Sequence, residues 1–330
     1  MLKRSVQITE SSSIQVYRSA VESIPTDYWR GRRVLVTGAS GFVGRQVARQ
    51  LLVSGAEVHG TGRQQRPEEC TVGHRATFPQ DAAHLIGEVQ PSMVFHLAAP
   101  VMAGATEDQT GSLRSGIVDA SIAVAKACAS IGATLIHVGT CAEYGQSTTP
   151  YTENAPCRPV DTYGTLKLEA SLRLLERAPH QPIAVVRPFR AIGPGDVTSV
   201  VAQAAKAALT RTEFEMTKGT QVREWNHVDA IAAGIIATGM HKAALGRVWN
   251  VGGGPNASVL SAVQMVFRAA DAPTKLIRVG ARPQRDGEVP LLAGDHSQAQ
   301  ALWGPISQPS LEATIALAVQ WHRSRAEGAA

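Results

Sequence analysis

Tyr163-Gly-Thr-Leu-Lys167 sets a phenol and an ammonium four residues apart. At that spacing both side chains share one helical face. A tyrosine with a pKa of about 10 is a weak general acid at neutral pH. A neighbouring ammonium favours the phenolate and lowers that value. The same lysine is placed to hold the ribose hydroxyls of a nicotinamide nucleotide. Thr140 ends an apolar run, Thr134 to Gly139, and offers a hydroxyl to a substrate oxygen. Each feature alone also fits an ordinary surface Tyr–Lys pair or a turn threonine. Together they spell proton transfer to an oxygen next to a bound nucleotide.

The elements that must carry these groups are legible nearby. Val34, Leu35 and Val36 form a short apolar run, as in a strand buried on both faces. Gly38, Gly41 and Gly44 follow in G-x-x-G-x-x-G spacing. An amphipathic helix is expected from Phe42 to Leu52, capped by Gly55, and a second strand from Glu57 to Thr61. Strand, glycine turn, helix and strand make the βαβ unit that holds a dinucleotide. Gly38 permits the turn, Gly41 admits a pyrophosphate to the helix N-terminus, and Gly44 lets helix and strand pack closely.

Further strands are expected at Met93 to Ala99, Thr134 to Gly139 and Pro182 to Pro188. Helices are expected at Asp81 to Val89, Ser112 to Ile131 and Thr162 to Arg177, while residues 64 to 80 are polar and weakly patterned. This alternation predicts an α/β fold, a Rossmann-type doubly wound parallel sheet over residues 31–188. Residues 1–30 read as an N-terminal extension. Residues 189–330 read as a smaller mixed α/β, mainly substrate-binding region, some of whose segments return to the first domain. Helices are expected there at Val228 to Met240, Leu260 to Ala272 and Leu311 to His322, with an extended stretch at Arg247 to Val251. The cleft between the two parts is the expected binding site.

Composition bounds the function. The chain has 330 residues and a net charge of +5, spread along its length. That pattern is compatible with an anionic substrate and argues only weakly for nucleic acid, which is not an expected partner. No apolar run approaches the roughly 20 residues of a membrane span, and no apolar signal core opens the chain. Cys70, Cys128, Cys141 and Cys157 form no C-x-x-C pair, and the ten histidines show no H-x-x-x-H spacing. No metal site is expected, and a reducing cytoplasm is the expected compartment.

Taken in order, Thr37-Gly-Ala-Ser-Gly-Phe-Val-Gly44, His96-Leu-Ala-Ala99, Thr140 ahead of Tyr144-Gly145, and Tyr163-x-x-x-Lys167 resemble the extended short-chain dehydrogenase/reductases. Arg187-Pro-Phe, Gly193-Pro-Gly195, Gln221 to Asp229, Arg282-Pro and Leu302-Trp303 extend the resemblance over roughly residues 31 to 322, toward the nucleotide-sugar epimerases, dehydratases and 4-ketoreductases. The resemblance implies a catalytic set of Thr140, Tyr163 and Lys167. It implies a dinucleotide lying against Gly38, Ser40, Gly41, Phe42, Val43 and Gly44. Arg63, Leu97, Ala98, Ala99, Pro188, Tyr163 and Lys167 complete that site. A nucleotide sugar would meet Thr140, Cys141, Glu143 and Arg190, with Arg223 and Arg282 on its pyrophosphate.

Four positions depart from the family pattern. Gly62 and Arg63 stand where an acid usually ends the second strand, which implies NADP(H) rather than NAD. Cys141 and Ala142 replace the acidic pair of the 4,6-dehydratases, and Glu143 follows in a Glu-Tyr-Gly context resembling the 4-keto-6-deoxysugar reductases. Arg190 replaces a usual asparagine, and Leu166 a usual small hydroxyl residue. The implied activity is an NADP-dependent reduction of a nucleotide-activated keto sugar by a homodimer joined through helices 112–131 and 162–177. The alternatives are a 4-epimerase with tightly held NAD, or a non-catalytic NADP-binding sensor or scaffold.

Overall fold

The computed structural model describes residues 26–64, 67–100, 107–284 and 287–327. Most of the expected N-terminal extension, residues 1–25, lies outside them, as do residues 101–106. Residues 26–30 are not an extension. Thr26–Trp29 forms a short helix whose Trp29 is wholly buried, 5.9 Å from the Phe95 ring.

Seven parallel strands form the central sheet. They are β1 (Arg33–Thr37), β2 (Glu57–Gly62), β3 (Val72–Arg75), β4 (Met93–His96), β5 (Thr134–Val138), β6 (Ile183–Pro188) and the edge strand Val248–Val251. Their order is Val248–Val251, β6, β5, β4, β1, β2, β3, and every pairing is parallel. The sheet reverses direction of travel between β1 and β4, where such folds bind ligands.

Alternate strand residues feed two cores. Val34, Val36, Phe95 and Ile136 pack with the Phe42–Val53 and Val228–Met240 helices. Leu35, Val94 and Leu135 pack on the other face with Ala82–Val89 and Ala120–Ile131. Helices on both faces explain the apolar runs of β1 and β4. The expected Ser112 to Ile131 helix is observed as Glu107–Arg114, a π-turn at Ser115–Asp119 and Ala120–Ile131.

β3 falls in the stretch that reads as weakly patterned. Its Val-Gly-His-Arg is an exposed edge strand with no buried residue, so it carries no apolar alternation. Val248–Val251 and the Val228–Met240 helix return from the C-terminal half to the sheet. The Ser297–Trp303 helix also packs on the sheet, while other C-terminal segments build a separate core. It joins the Val200–Leu209, Val259–Ala269 and Leu311–Glu327 helices. Among the described residues no helix is long and apolar enough to cross a membrane.

The glycine turn is held by contact. Gly38 has φ +71°, in the left-handed region that favours glycine. A Cβ on Gly44 would lie 2.1 Å from the Gly38 carbonyl oxygen. Gly44→Ala should therefore destabilise the fold by about 1–3 kcal/mol through overpacking. Urea unfolding measures this, and wild-type stability would show that the turn relaxes freely.

Candidate active site

A cavity of about 390 Å³ opens at the carboxyl ends of β1, β2 and β4. Gly38, Ser40 and Gly41 wall it from the turn, Arg63 from the end of β2, and Leu97, Ala98 and Ala99 from the segment after β4. Gly41 caps the Phe42–Val53 helix without a side-chain bond, so the first backbone donors of that helix remain for an anion. Phe42 packs beneath Gly195, and Val43 packs against the core under the turn. Pro188 ends β6, half-buried. Thr61, Thr77, Phe78 and Gln80 also line the cavity. Sequence reasoning missed the last three because it missed β3, which leads to them.

One threonine locks the two strand ends that bound the cavity. Thr37 Oγ1 accepts the Leu97 and Ala98 amides, each at 3.1 Å. Its own hydroxyl proton is then directed to His96 Nδ1, 2.8 Å away. That leaves the proton of a neutral His96 on Nε2, which is buried and has no partner. Burial, aided by the charge of Lys167, holds His96 down at about 3. His137 lies beside it on β5, rings 5.7 Å apart, with neither ring nitrogen partnered. Burial and the same lysine charge keep it neutral too. The only sequence signal for His137 was a histidine inside the apolar run Leu-Ile-His-Val.

Tyr163 and Lys167 stand on one helix, Thr162–Leu175, whose start abuts the turn that follows Thr140. Asp161 caps the Thr162–Leu175 helix through the Gly164 amide at 2.7 Å. A Cβ on Gly164 would lie 2.7 Å from the Ala142 carbonyl, so the helix start abuts the turn after Thr140. Lys167 is buried and its Nζ donates to the Val138 carbonyl at 2.8 Å. Burial lowers its pKa from 10.5 to about 8, with the Glu143 carboxylate pulling the other way.

Tyr163 differs from expectation. Burial, then Glu143 and further negative groups including Asp161, push its phenol above 10 rather than below it. The expected lowering by Lys167 is absent: burial dominates, and the charges that act on the phenol are negative. The result is a neutral phenol able to donate a proton.

Glu143 also differs. It was expected to touch a sugar, yet it is wholly buried. Oε1 accepts the Thr140 amide at 2.9 Å and the Ser171 hydroxyl at 3.1 Å. Oε2 accepts Arg187 Nε at 2.7 Å. An enclosed carboxylate with these bonds is part of the scaffold, not of a binding surface. Cys141 is half-buried, and burial pushes its thiol up to about 12, which excludes a ready thiolate.

The three arginines are placed unequally. Arg190 faces Trp225, 5.7 Å from the ring, and its buried Nε has no partner. Arg223 is buried on Val222–Glu224 and bonds the carbonyls of Val222 and Val289, both at 2.8 Å, and Glu288. The neighbouring Glu224 does not pair with it but with His296, at 2.9 Å. Arg282 is exposed, 3.8 Å from Glu215, near a different small sheet.

Residues 34–252 match the family described as the NAD dependent epimerase/dehydratase family. Methionine adenosyltransferase 2 subunit beta of Rattus norvegicus is 34% identical over 146 residues, 44% of this chain and 43% of that protein. The chain thus aligns with under half the length of that relative. A dTDP-6-deoxy-L-talose 4-dehydrogenase (NAD(P)(+)) of Kitasatospora kifunensis is 29% identical over 277 residues, 78% of this chain and 84% of that one. The solved structure of MoeE5 in complex with UDP-glucuronic acid and NAD is 26% identical, with a TM-score of 0.80, covering 89% of this chain and all of the other, 100%.

Lys167 should leave a signature in stability. Its folded pKa of about 8 lies below the 10.5 of a free lysine, so between those values the unfolded chain binds the proton and the folded chain does not. Stability from this residue therefore rises with pH across that window. Urea unfolding at the two ends of the window should show the rise in wild type and its loss in Lys167→Met. Parallel pH dependence in both proteins would rule out a buried, depressed lysine.

Proposed function

The chain belongs to the NAD dependent epimerase/dehydratase family, and from that premise we propose that it is an NADP-dependent reductase of a nucleotide-activated keto sugar. The observation that carries the reading is the neutral Tyr163 phenol on the helix of Lys167, whose start abuts the turn after Thr140 and whose apolar cluster includes Ala99 of the cavity wall. The residues present fit a dinucleotide: a Phe42–Val53 helix start with no side-chain cap, a left-handed Gly38 in the turn, and Arg63 where β2 ends. NADPH, when bound, supplies the hydride. Tyr163 gives its proton to the carbonyl oxygen as that oxygen gains negative charge. The Thr140 hydroxyl orients the same oxygen. Lys167 holds the ribose and, as an ammonium, faces the phenolate that Tyr163 leaves behind.

The cofactor reading rests on Gly62 and Arg63. With no carboxylate at the end of β2, a 2′-phosphate meets an arginine rather than an acid. On the substrate side, Arg190 offers an unpartnered Nε and Arg282 an exposed guanidinium. Arg223 would reach a pyrophosphate only by exchanging Glu288 for it. The name of the Kitasatospora relative, a 4-dehydrogenase of a 6-deoxysugar nucleotide, supports a C4 carbonyl of a 4-keto-6-deoxyhexose as the acceptor. A homodimer through the Ala120–Ile131 and Thr162–Leu175 helices accounts for the exposed Leu172. The rival reading is an epimerase with retained NAD, favoured by the NAD bound in MoeE5.

Two measurements test this. NADPH should bind more tightly than NADH by roughly ten- to a hundredfold, the range of a charge-assisted contact, and Arg63→Ala should shrink the preference. Equal affinities would favour the NAD-retaining epimerase. Tyr163→Phe should cost about a hundred- to ten-thousandfold in kcat on a keto sugar nucleotide while NADPH affinity stays near wild type. A variant within a few-fold of wild type would assign the proton to another group.

A further inference from the structure

The Glu143 carboxylate lies directly behind the segment that carries the reacting groups. A Cβ on Gly139 would sit 2.2 Å from Glu143 Oε1, so only glycine admits the carboxylate there. One residue before, the Val138 carbonyl takes Lys167 Nζ. One residue after, the Thr140 amide is bound by the carboxylate itself. Ser171, one turn beyond Lys167 on the same helix, donates to it as well. Arg187 completes the set from β6, and its guanidinium lies 4.5 Å over the Tyr144 ring. The Tyr144 hydroxyl donates to Asn250 Oδ1 at 2.7 Å, anchoring the group to the edge strand.

A buried ion pair is weak evidence for stability, because desolvation offsets the attraction. Its contacts here run instead to Thr140 and to the helix of Tyr163 and Lys167. We propose that Glu143 is a positioning residue for the reaction: its carboxylate fixes the Thr140 main chain and sets a negative charge facing Lys167. The inference rests on the reading of Thr140, Tyr163 and Lys167 as the reacting set.

The charge has a direction of effect. Burial drives Lys167 toward the neutral amine, and Glu143 opposes it. The other groups facing Lys167 do not replace it. His96 from β4 and His137 from β5 are neutral. Tyr163, on the same helix, is a neutral phenol, and Arg187 from β6 carries the wrong sign. Without Glu143, Lys167 loses its proton at lower pH.

The test replaces both members of the pair, Glu143→Leu with Arg187→Leu, since removing one would strand a buried charge. NADPH affinity, read by fluorescence, and kcat on a keto sugar nucleotide are each followed against pH. In wild type both should fall on the alkaline side near the Lys167 value of about 8. In the double variant that limb should move acidward by about one unit or more, and kcat at neutral pH should drop at least tenfold. If the double variant does not fold, Glu143→Gln, which keeps an acceptor for Thr140 and removes the charge, must show the same shift. A folded variant with the wild-type limb overturns the proposal, whatever its rate. Movement of the NADPH limb in a protein that reduces no keto sugar, wild type included, would uphold the positioning role and defeat the proposed function instead.

Discussion

The Glu143–Arg187 pair is the constraint on which the site depends. Both side chains are almost wholly out of water, 0% and 3% exposed, so each must be satisfied internally. The carboxylate meets that demand by drawing in the Thr140 amide, the Ser171 hydroxyl and the arginine together. These donors come from the turn after β5, the Thr162–Leu175 helix and β6. Satisfying one buried charge therefore fixes three elements relative to one another. Gly139 is the steric condition for it, since any side chain there would occupy the carboxylate's place.

A second lock works by hydrogen bonding alone. Thr37 at the end of β1 bonds the histidine that ends β4 and the two amides that follow it. The strands on either side of the switch point thus leave the sheet in a fixed relation, and the cavity lies over that exit. Parallel strands all end on the same edge, so the residues just past β1, β2, β4 and β5 face a common space. Gly38, Arg63 and Leu97 line one cavity for this reason.

Much of this was legible before folding. The apolar runs of β1, β4, β5 and β6 and the periodicity of the Phe42–Val53, Thr162–Leu175 and Val228–Met240 helices are local properties of the chain. β3 escaped because an exposed edge strand needs no apolar alternation. Trp29 was assigned to an extension because one buried tryptophan in a four-residue helix has no period to reveal it. Glu143 was read as a sugar contact because its neighbours in sequence form a motif, whereas its partner Arg187 stands 44 residues away.

Sequence alone determined the order of elements, the parallel α/β class, the glycine turn and the presence of a phenol and an ammonium on one helical face. These follow from steric rules and repeat periods that act within a few residues. Tertiary structure alone decided the charge states and the pairings. It set Tyr163 above its usual pKa and Lys167 below, because burial and facing carboxylates are properties of the assembled site. It gave Arg223 to Glu288, 65 residues away, and Glu224 to His296. Desolvation and electrostatics depend on what surrounds a group in space, and no spacing along the chain encodes that.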